Sequence, residues 1–254
     1  MAVANTSRSG PLSRAIGRRT FLVRAGRGVF GVAVLGMAGC VARHEDGLAW
    51  SRVDLAFASA YVLVRDGEAV VVDTGVGASA DRIGAAIKAA GSTWDKVSAV
   101  VVTHAHFDHI GSLSEVANRA ARARLLAGGP DITFIQQQLS AWPRPLPAER
   151  RVRAVGESEE ILGLRVVGTP GHTPGHIAVV DPDSAILVAG DALTNTIDGH
   201  LGGSLPDVTV DKAAAADSVR KLASLRPQVI LVGHGPPVER AAAAQLRQLA
   251  RSLN

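Results

Sequence analysis

The chain has 254 residues, 47% of them hydrophobic, enough to bury the core of one large domain. A single cysteine, Cys40, excludes an internal disulfide and a cysteine-based zinc site. The net charge of +4 resides in six arginines within residues 1–39 (Arg8, Arg14, Arg18, Arg19, Arg24, Arg27), with no acid among them; this leaves the remainder at −2 and excludes a basic nucleic-acid-binding face in the body of the protein.

That N-terminal stretch reads as a targeting segment. Arg18-Arg19-Thr20-Phe21-Leu22 resembles a twin-arginine export motif. The apolar run over 29–38 is too short to span a bilayer stably. Met37-Ala38-Gly39-Cys40 resembles a lipoprotein processing box, with Met37 where leucine is usual. The expectation is an export signal over residues 1–40 and a second unit over 41–254. The location is then periplasmic or cell-surface, with a lipid anchor on Cys40 as the one link to a membrane.

Residues 61–65 and 68–72 are apolar, β-branched runs around Asp66-Gly67, a hairpin signal. The second run ends in Asp73-Thr74-Gly75. A helix is expected over 79–90, with Ser79 as N-cap and Gly91 past its end. Residues 94–102 lead into the central loop, followed by a helix over 113–123, a short strand over 125–127 and a helix over 130–139. Residues 141–150 carry Pro143, Pro145 and Pro147 and form a loop at the rim of the site. Strands are expected over 152–155 and 164–167, then a hairpin pairing 177–180 with 185–189 across Pro182-Asp183. A helix over 211–225, a strand over 228–232 and a helix over 238–252 complete the chain. The two halves are loosely alike, which suggests two sheets face to face with helices outside.

The chemistry is concentrated in Thr103-His104-Ala105-His106-Phe107-Asp108-His109. His104 and His106 are two apart, so on extended backbone both rings point to one side and can grip one ion. Asp108 and His109 follow the strand and can turn toward a second. His172, Asp191 and His234 each sit at a strand end or in the loop after it. Five histidines and two aspartates exceed the four ligands of a structural zinc site and suffice for two ions, of zinc, iron or manganese, with open positions. His176 is read as a hydrogen-bonding support for the loop of His172. His200, in a glycine-rich loop, is a candidate substrate contact.

In their order, His104-x-His106-x-Asp108-His109, His172, Asp191 and His234 resemble the ligand set of the metallo-β-lactamase superfamily. Asp73-Thr74-Gly75, Gly171-His172-Thr173-Pro174-Gly175-His176 and Gly233-His234-Gly235 are similar to its other motifs. The resemblance spans roughly residues 50–240. It implies an α+β, four-layer αββα sandwich with the metals at one edge. It places one ion, zinc by preference, on His104, His106 and His172 and a second on Asp108, His109 and His234. Asp191 would bridge the two, and Asp73 would fix a ligand imidazole by hydrogen bonding. A hydroxide between the ions would attack the substrate, with Asp108 handling its proton. Asp191 resembles the bridging ligand of the glyoxalase-II, lactonase and phosphodiesterase branches, so a small ester, thioester or lactone is the expected substrate. Alternatives are a mono-iron persulfide dioxygenase using His104, His172 and Asp191, a β-lactamase, or a binding protein without turnover.

Overall fold

Asp66 and Gly67 both have positive φ (52° and 82°), which is the twist a two-residue hairpin needs. They join β3 (Ala58–Arg65) to β4 (Glu68–Val72) in antiparallel register, Arg65 opposite Glu68. The computed structural model describes residues 41–43, 47–140, 146 and 150–253. The expected export signal, Cys40 and the prolines of the 141–150 loop therefore lie outside the described residues.

A first sheet of seven strands runs in chain order: β1 (Val41–Arg43), β2 (Ala49–Leu55), β3, β4, β5 (Val97–Val102), β6 (Arg124–Gly128) and β7 (Arg153–Val155). β1 to β4 are antiparallel, and β4 to β7 are parallel. Between the parallel strands lie α1 (Ala80–Ala89), α2 (Phe107–Ile110), α3 (Leu113–Arg119) and α4 (Ile132–Ser140). A second sheet holds β8 (Glu160–Ile161), β9 (Leu164–Gly168), β10 (Ile177–Asp181), β11 (Ile186–Asn195) and β12 (Leu201–Gly203). β13 (Val229–His234) runs parallel to β11, and α5 (Lys212–Ser224) and α6 (Ala242–Ser252) cover this sheet.

Alternation along the strands sorts the side chains into three apolar layers. Leu63, Val70 and Val101 meet Val179, Ile186 and Leu231 between the sheets. Val71 and Val100 face Ile83, Ile87 and Val116 on the other side of the first sheet. Leu187 and Ile230 face Val219, Leu222 and Leu246 outside the second. Helix, sheet, sheet and helix make the four-layer αββα sandwich. Each fully buried Leu, Ile or Val contributes about 1.5–3 kcal/mol relative to exposure.

Local details differ from the sequence reading. The Ser79 side chain makes no cap bond; its hydroxyl donates to the Val76 carbonyl, and its N–H donates to Ser112 Oγ. Asp211 does cap α5, accepting from the N–H groups of Ala213 and Ala214. The last helix starts at Ala242 rather than 238, because Val238 exchanges backbone hydrogen bonds with Ile230. The strands β1, β2, β8 and β12 were not expected.

Candidate metal centre

β4, β5 and β6 are parallel, so their C-terminal ends lie at one edge, where irregular backbone can carry chemistry. Asp73, just past β4, has a φ of +61°. This conformation is tolerated by Asp more readily than by most residues. Its carboxylate accepts from the Thr103 N–H (2.7 Å), the Thr103 hydroxyl (2.8 Å) and His109 Nδ1–H (2.8 Å). The Thr103 hydroxyl, having donated to Asp73, accepts from His104 Nδ1–H at 3.0 Å. One carboxylate thus sets the tautomers of two imidazoles and leaves each Nε2 facing inward.

His104 and His106 leave β5 on the same side. Their inward nitrogens, Nε2 and Nδ1, are 3.0 Å apart. His172, in the loop between β9 and β10, brings its Nε2 to 3.2 Å from the first and 2.9 Å from the second. The tautomer of His172 is also set from behind. Thr209 Oγ1 donates to the Leu205 carbonyl, so it accepts from Ser204 Oγ, which in turn accepts from His172 Nδ1–H. In the neutral trio the lone pairs of His104 and His172 converge with no proton of their own between them. A bound cation would be held by these three nitrogens and would satisfy them all.

The second group forms on the other side of Asp191. His109 Nε2 is buried without a hydrogen-bond partner, 3.3 Å from Asp191 Oδ1, which also has none. His109 Nε2 is 3.7 Å from Asp108 Oδ2. His234 donates through Nδ1 to the Phe57 carbonyl, and its Nε2 lies 3.0 Å from Asp191 Oδ2 and 3.4 Å from Asp108 Oδ2. Asp191 Oδ2 is also 3.4 Å from His172 Nε2, so this carboxylate faces both groups. A Cβ on Gly233 would fall 1.9 Å from Asp191 Oδ1, so only glycine lets β13 approach this closely. Two orphaned buried polar atoms and a set of imidazole and carboxylate donors fit a second cation.

Charge divides the groups. Burial holds His104 well below the ordinary histidine value and lowers His106, and it takes His172 down to about 4. Burial also disfavours a proton on His109, but Asp191, Asp73 and Asp108 outweigh it and raise that ring to about 9. The hydrogen bond to Asp191 raises His234.

The fold brings together all seven residues expected as ligands. Three sets lie within 4.8 Å among the described residues: His104, His106 and His172; His104, His109 and Asp191; Asp108, His109 and His234. His176 stands behind them, accepting from the Asp191 N–H through Nε2 (3.0 Å) and bonding Thr169 Oγ1 through Nδ1 (2.7 Å). His200 is exposed in the turn between β11 and β12 and stands outside the cluster. Sequence reading missed Asp131. Its buried carboxylate accepts from Ala105 N–H (3.1 Å), Thr173 Oγ1–H (2.6 Å) and Gly175 N–H (2.7 Å), tying the His104–His106 loop to the loop of His172. Its signal is an acid closely following a strand, as at Asp73. Ser204 and the Phe57 carbonyl carried no such mark.

Comparison with known proteins gives the same picture. The family model described as the metallo-beta-lactamase superfamily matches residues 53–234. Over 201 residues the chain is 29% identical to a probable metallo-hydrolase of Bacillus subtilis (strain 168), a match covering 66% of this chain and 76% of that protein. A hydroxyacylglutathione hydrolase of Cereibacter sphaeroides (strain ATCC 17029 / ATH 2.4.9) is 32% identical over 175 residues, 66% of this chain and 58% of its own length. The crystal structure of a metallo beta lactamase from Erythrobacter litoralis superposes with a TM-score of 0.62, covering 87% of this chain and 100% of that one. At 24% identity that likeness establishes the fold alone.

Proposed function

The chain belongs to the metallo-β-lactamase superfamily, and on that premise we propose that it is a metal-dependent hydrolase holding two ions, zinc in the first instance, and cleaving a small ester, thioester or lactone. The observation that carries this reading is Asp191, whose one carboxylate faces both the His104–His106–His172 trio and the Asp108–His109–His234 set. The relatives named as metallo-hydrolase and hydroxyacylglutathione hydrolase support the hydrolytic class.

Bound ions supply Lewis acidity, lowering the pKa of water toward neutrality and polarising a carbonyl. The protein's own part is positioning and proton transfer. Asp73, His176, Ser204 and the Phe57 carbonyl hold the ligand side chains from behind, so little reorganises during reaction. Asp108 is the least enclosed of the two carboxylates in the centre. It takes the proton of the attacking water and delivers it to the leaving oxygen or sulfur. The water oxygen bonds to the acyl carbon, the acyl–oxygen or acyl–sulfur bond breaks, and an acid and an alcohol or thiol leave.

Elemental analysis of the folded chain tests the first half of the reading, and turnover of an ester, thioester, lactone and β-lactam panel tests the second. Two zinc ions per chain with ester, thioester or lactone turnover is the expected result. A single iron favours the alternative sulfur-oxidising chemistry. Its support is that Asp191 Oδ2 lies 3.4 Å from His172 Nε2 and 3.9 Å from His104 Nε2. Metal without turnover of any panel member favours a binding protein.

The proposal extends to residues 1–40 as a twin-arginine export signal with lipidation at Cys40, ahead of one hydrolase unit over 41–254. Intact mass of the protein recovered from cell fractions tests this, a membrane-associated form beginning at a lipid-bearing Cys40 being expected.

A further inference from the structure

Among the described residues, seven large hydrophobic side chains stand exposed, and six of them gather in segments that carry or touch the candidate ligands. Phe57, at the turn between β2 and β3, is 55% exposed, and its carbonyl holds His234. Phe107 is 61% exposed and sits between His106 and Asp108. The two rings come within 6.4 Å of each other across 50 residues of sequence. Leu205, Val208 and Val210 lie in the segment that supports His172 from the other side. There Ser204 bonds His172 Nδ1 and the Val210 N–H donates to the His172 carbonyl. Ile197 tips the turn after β11, near where Asn195 bonds the Pro236 carbonyl beside His234. The seventh, Phe134, lies on α4.

The arrangement has a direction. His104, His109 and His172 are buried, whereas His106 and His234 are partly open. The centre therefore faces solvent at the ligands that Phe107 and Phe57 flank. Charge points the same way. Residues 54–60, 104–112 and 196–211 contain no lysine or arginine, while Asp54, Asp198, Asp207 and Asp211 are exposed in them. Among the described residues, these segments offer an anionic group no lysine or arginine and set exposed carboxylates against an anionic lipid surface. It offers hydrocarbon a place to leave water.

We propose that this rim seats an apolar acyl or alkyl group of a neutral substrate, so that the enzyme selects its ester, thioester or lactone by hydrocarbon length. The inference rests on the hydrolase reading given above. Continuity with the metal centre is what commits the patch to a substrate group rather than to a protein or membrane partner.

The test uses the zinc-loaded full chain and p-nitrophenyl esters from acetyl to decanoyl. The expected result is a kcat/KM that climbs roughly two- to fourfold per methylene until the chain outgrows the rim, chiefly through KM. Phe57→Ser should flatten that rise, costing the decanoyl ester at least about tenfold and the acetyl ester much less, with zinc content unaltered. Val210→Ser, beside His172, should do the same more weakly, and Phe134→Ser should leave the whole series within about twofold. A flat wild-type series, or equal effects of Phe57→Ser and Phe134→Ser, overturns the proposal. If the metal-loaded chain turns over no ester at all, the hydrolase reading is what fails. The rim is then judged by fluorescence titration with neutral N-phenyl-1-naphthylamine. Weakening of at least about fivefold in Phe57→Ser alone supports an apolar seat, and equal binding by both variants overturns it. Co-sedimentation with phosphatidylglycerol vesicles that Phe57→Ser abolishes overturns it in favour of a membrane surface.

Discussion

The two ligand groups on either side of Asp191 are built from the same residue types and prepared in opposite ways. His104, His106 and His172 are kept neutral, with lone pairs aimed inward before any ion arrives. In the metal-free chain, His109 holds a proton up to about pH 9 and His234 is pulled the same way, both against Asp191 and Asp108. The difference is one of counter-charge. The first group meets Asp191 only at 3.4 Å from His172 and 3.9 Å from His104 and is otherwise crowded by other imidazoles, so burial wins. The second has three carboxylates within reach, so Coulomb attraction outweighs burial. A cation entering the first group displaces no proton, while one entering the second must replace protons that already balance the carboxylates. One residue type therefore yields a pre-emptied site and a proton-filled site a few ångströms apart.

Removing one ligand from each side breaks the comparison most severely. His104→Ala should lower kcat/KM on the order of 10³-fold or more and empty the first group. His234→Ala should leave one tightly held ion per chain. Metal analysis after dialysis distinguishes the two, and an equal loss from both variants would show that the groups fill as a unit.

pH sharpens the contrast. Between pH 8 and pH 6 the second group should lose affinity by roughly tenfold per pH unit for each proton displaced, while the first stays nearly constant. Cobalt titration with proton release followed in parallel reads both. The metal-free chain carries the same signature in its stability. His172 and His176, lowered to about 4 and about 3, take up protons more readily when unfolded, so stability falls as pH drops from the ordinary histidine value toward 3. His109, raised to about 9, stabilises the fold at low pH, and that contribution is lost as pH rises through 9. A flat melting temperature over both windows would contradict these assignments.

Asp131→Asn should weaken the first group selectively, by about 10–100-fold in metal affinity. The amide keeps the shape but cannot accept all three donors, so the spacing between His172 and the His104–His106 pair loosens. A variant that melts lower yet binds cobalt like the wild type would reduce Asp131 to a structural brace. Ser204→Ala is the mildest change, about tenfold in the same affinity, since it removes only the acceptor behind His172 Nδ1. Affinity equal to wild type would mean that the β9–β10 loop alone orients that ring.

Much of this centre was legible because its residues are local and its spacing is physical. A strand running into His-x-His-x-Asp-His sets two rings on one side without any help from the rest of the chain. Asp66-Gly67 announced a hairpin because positive φ at two consecutive positions has few other uses. β1, β2, β8 and β12 escaped notice because they are short or weakly patterned. Ser79 has the residue type of a cap, but its hydroxyl is taken by the Val76 carbonyl. Ser204 and the Phe57 carbonyl act on residues 32 and 177 positions away, and a single chain carries no mark of such pairings.

The sequence by itself determined the donor types, their order and the strand that leads into the first cluster, since these depend on side-chain chemistry and near-neighbour geometry; Asp191, expected past a strand end, lies inside β11. Tertiary structure decided which donors come within reach of one another, which imidazoles keep a proton and which apolar side chains stay exposed beside them. Those properties depend on distances of a few ångströms between segments that only the packing of two sheets brings together.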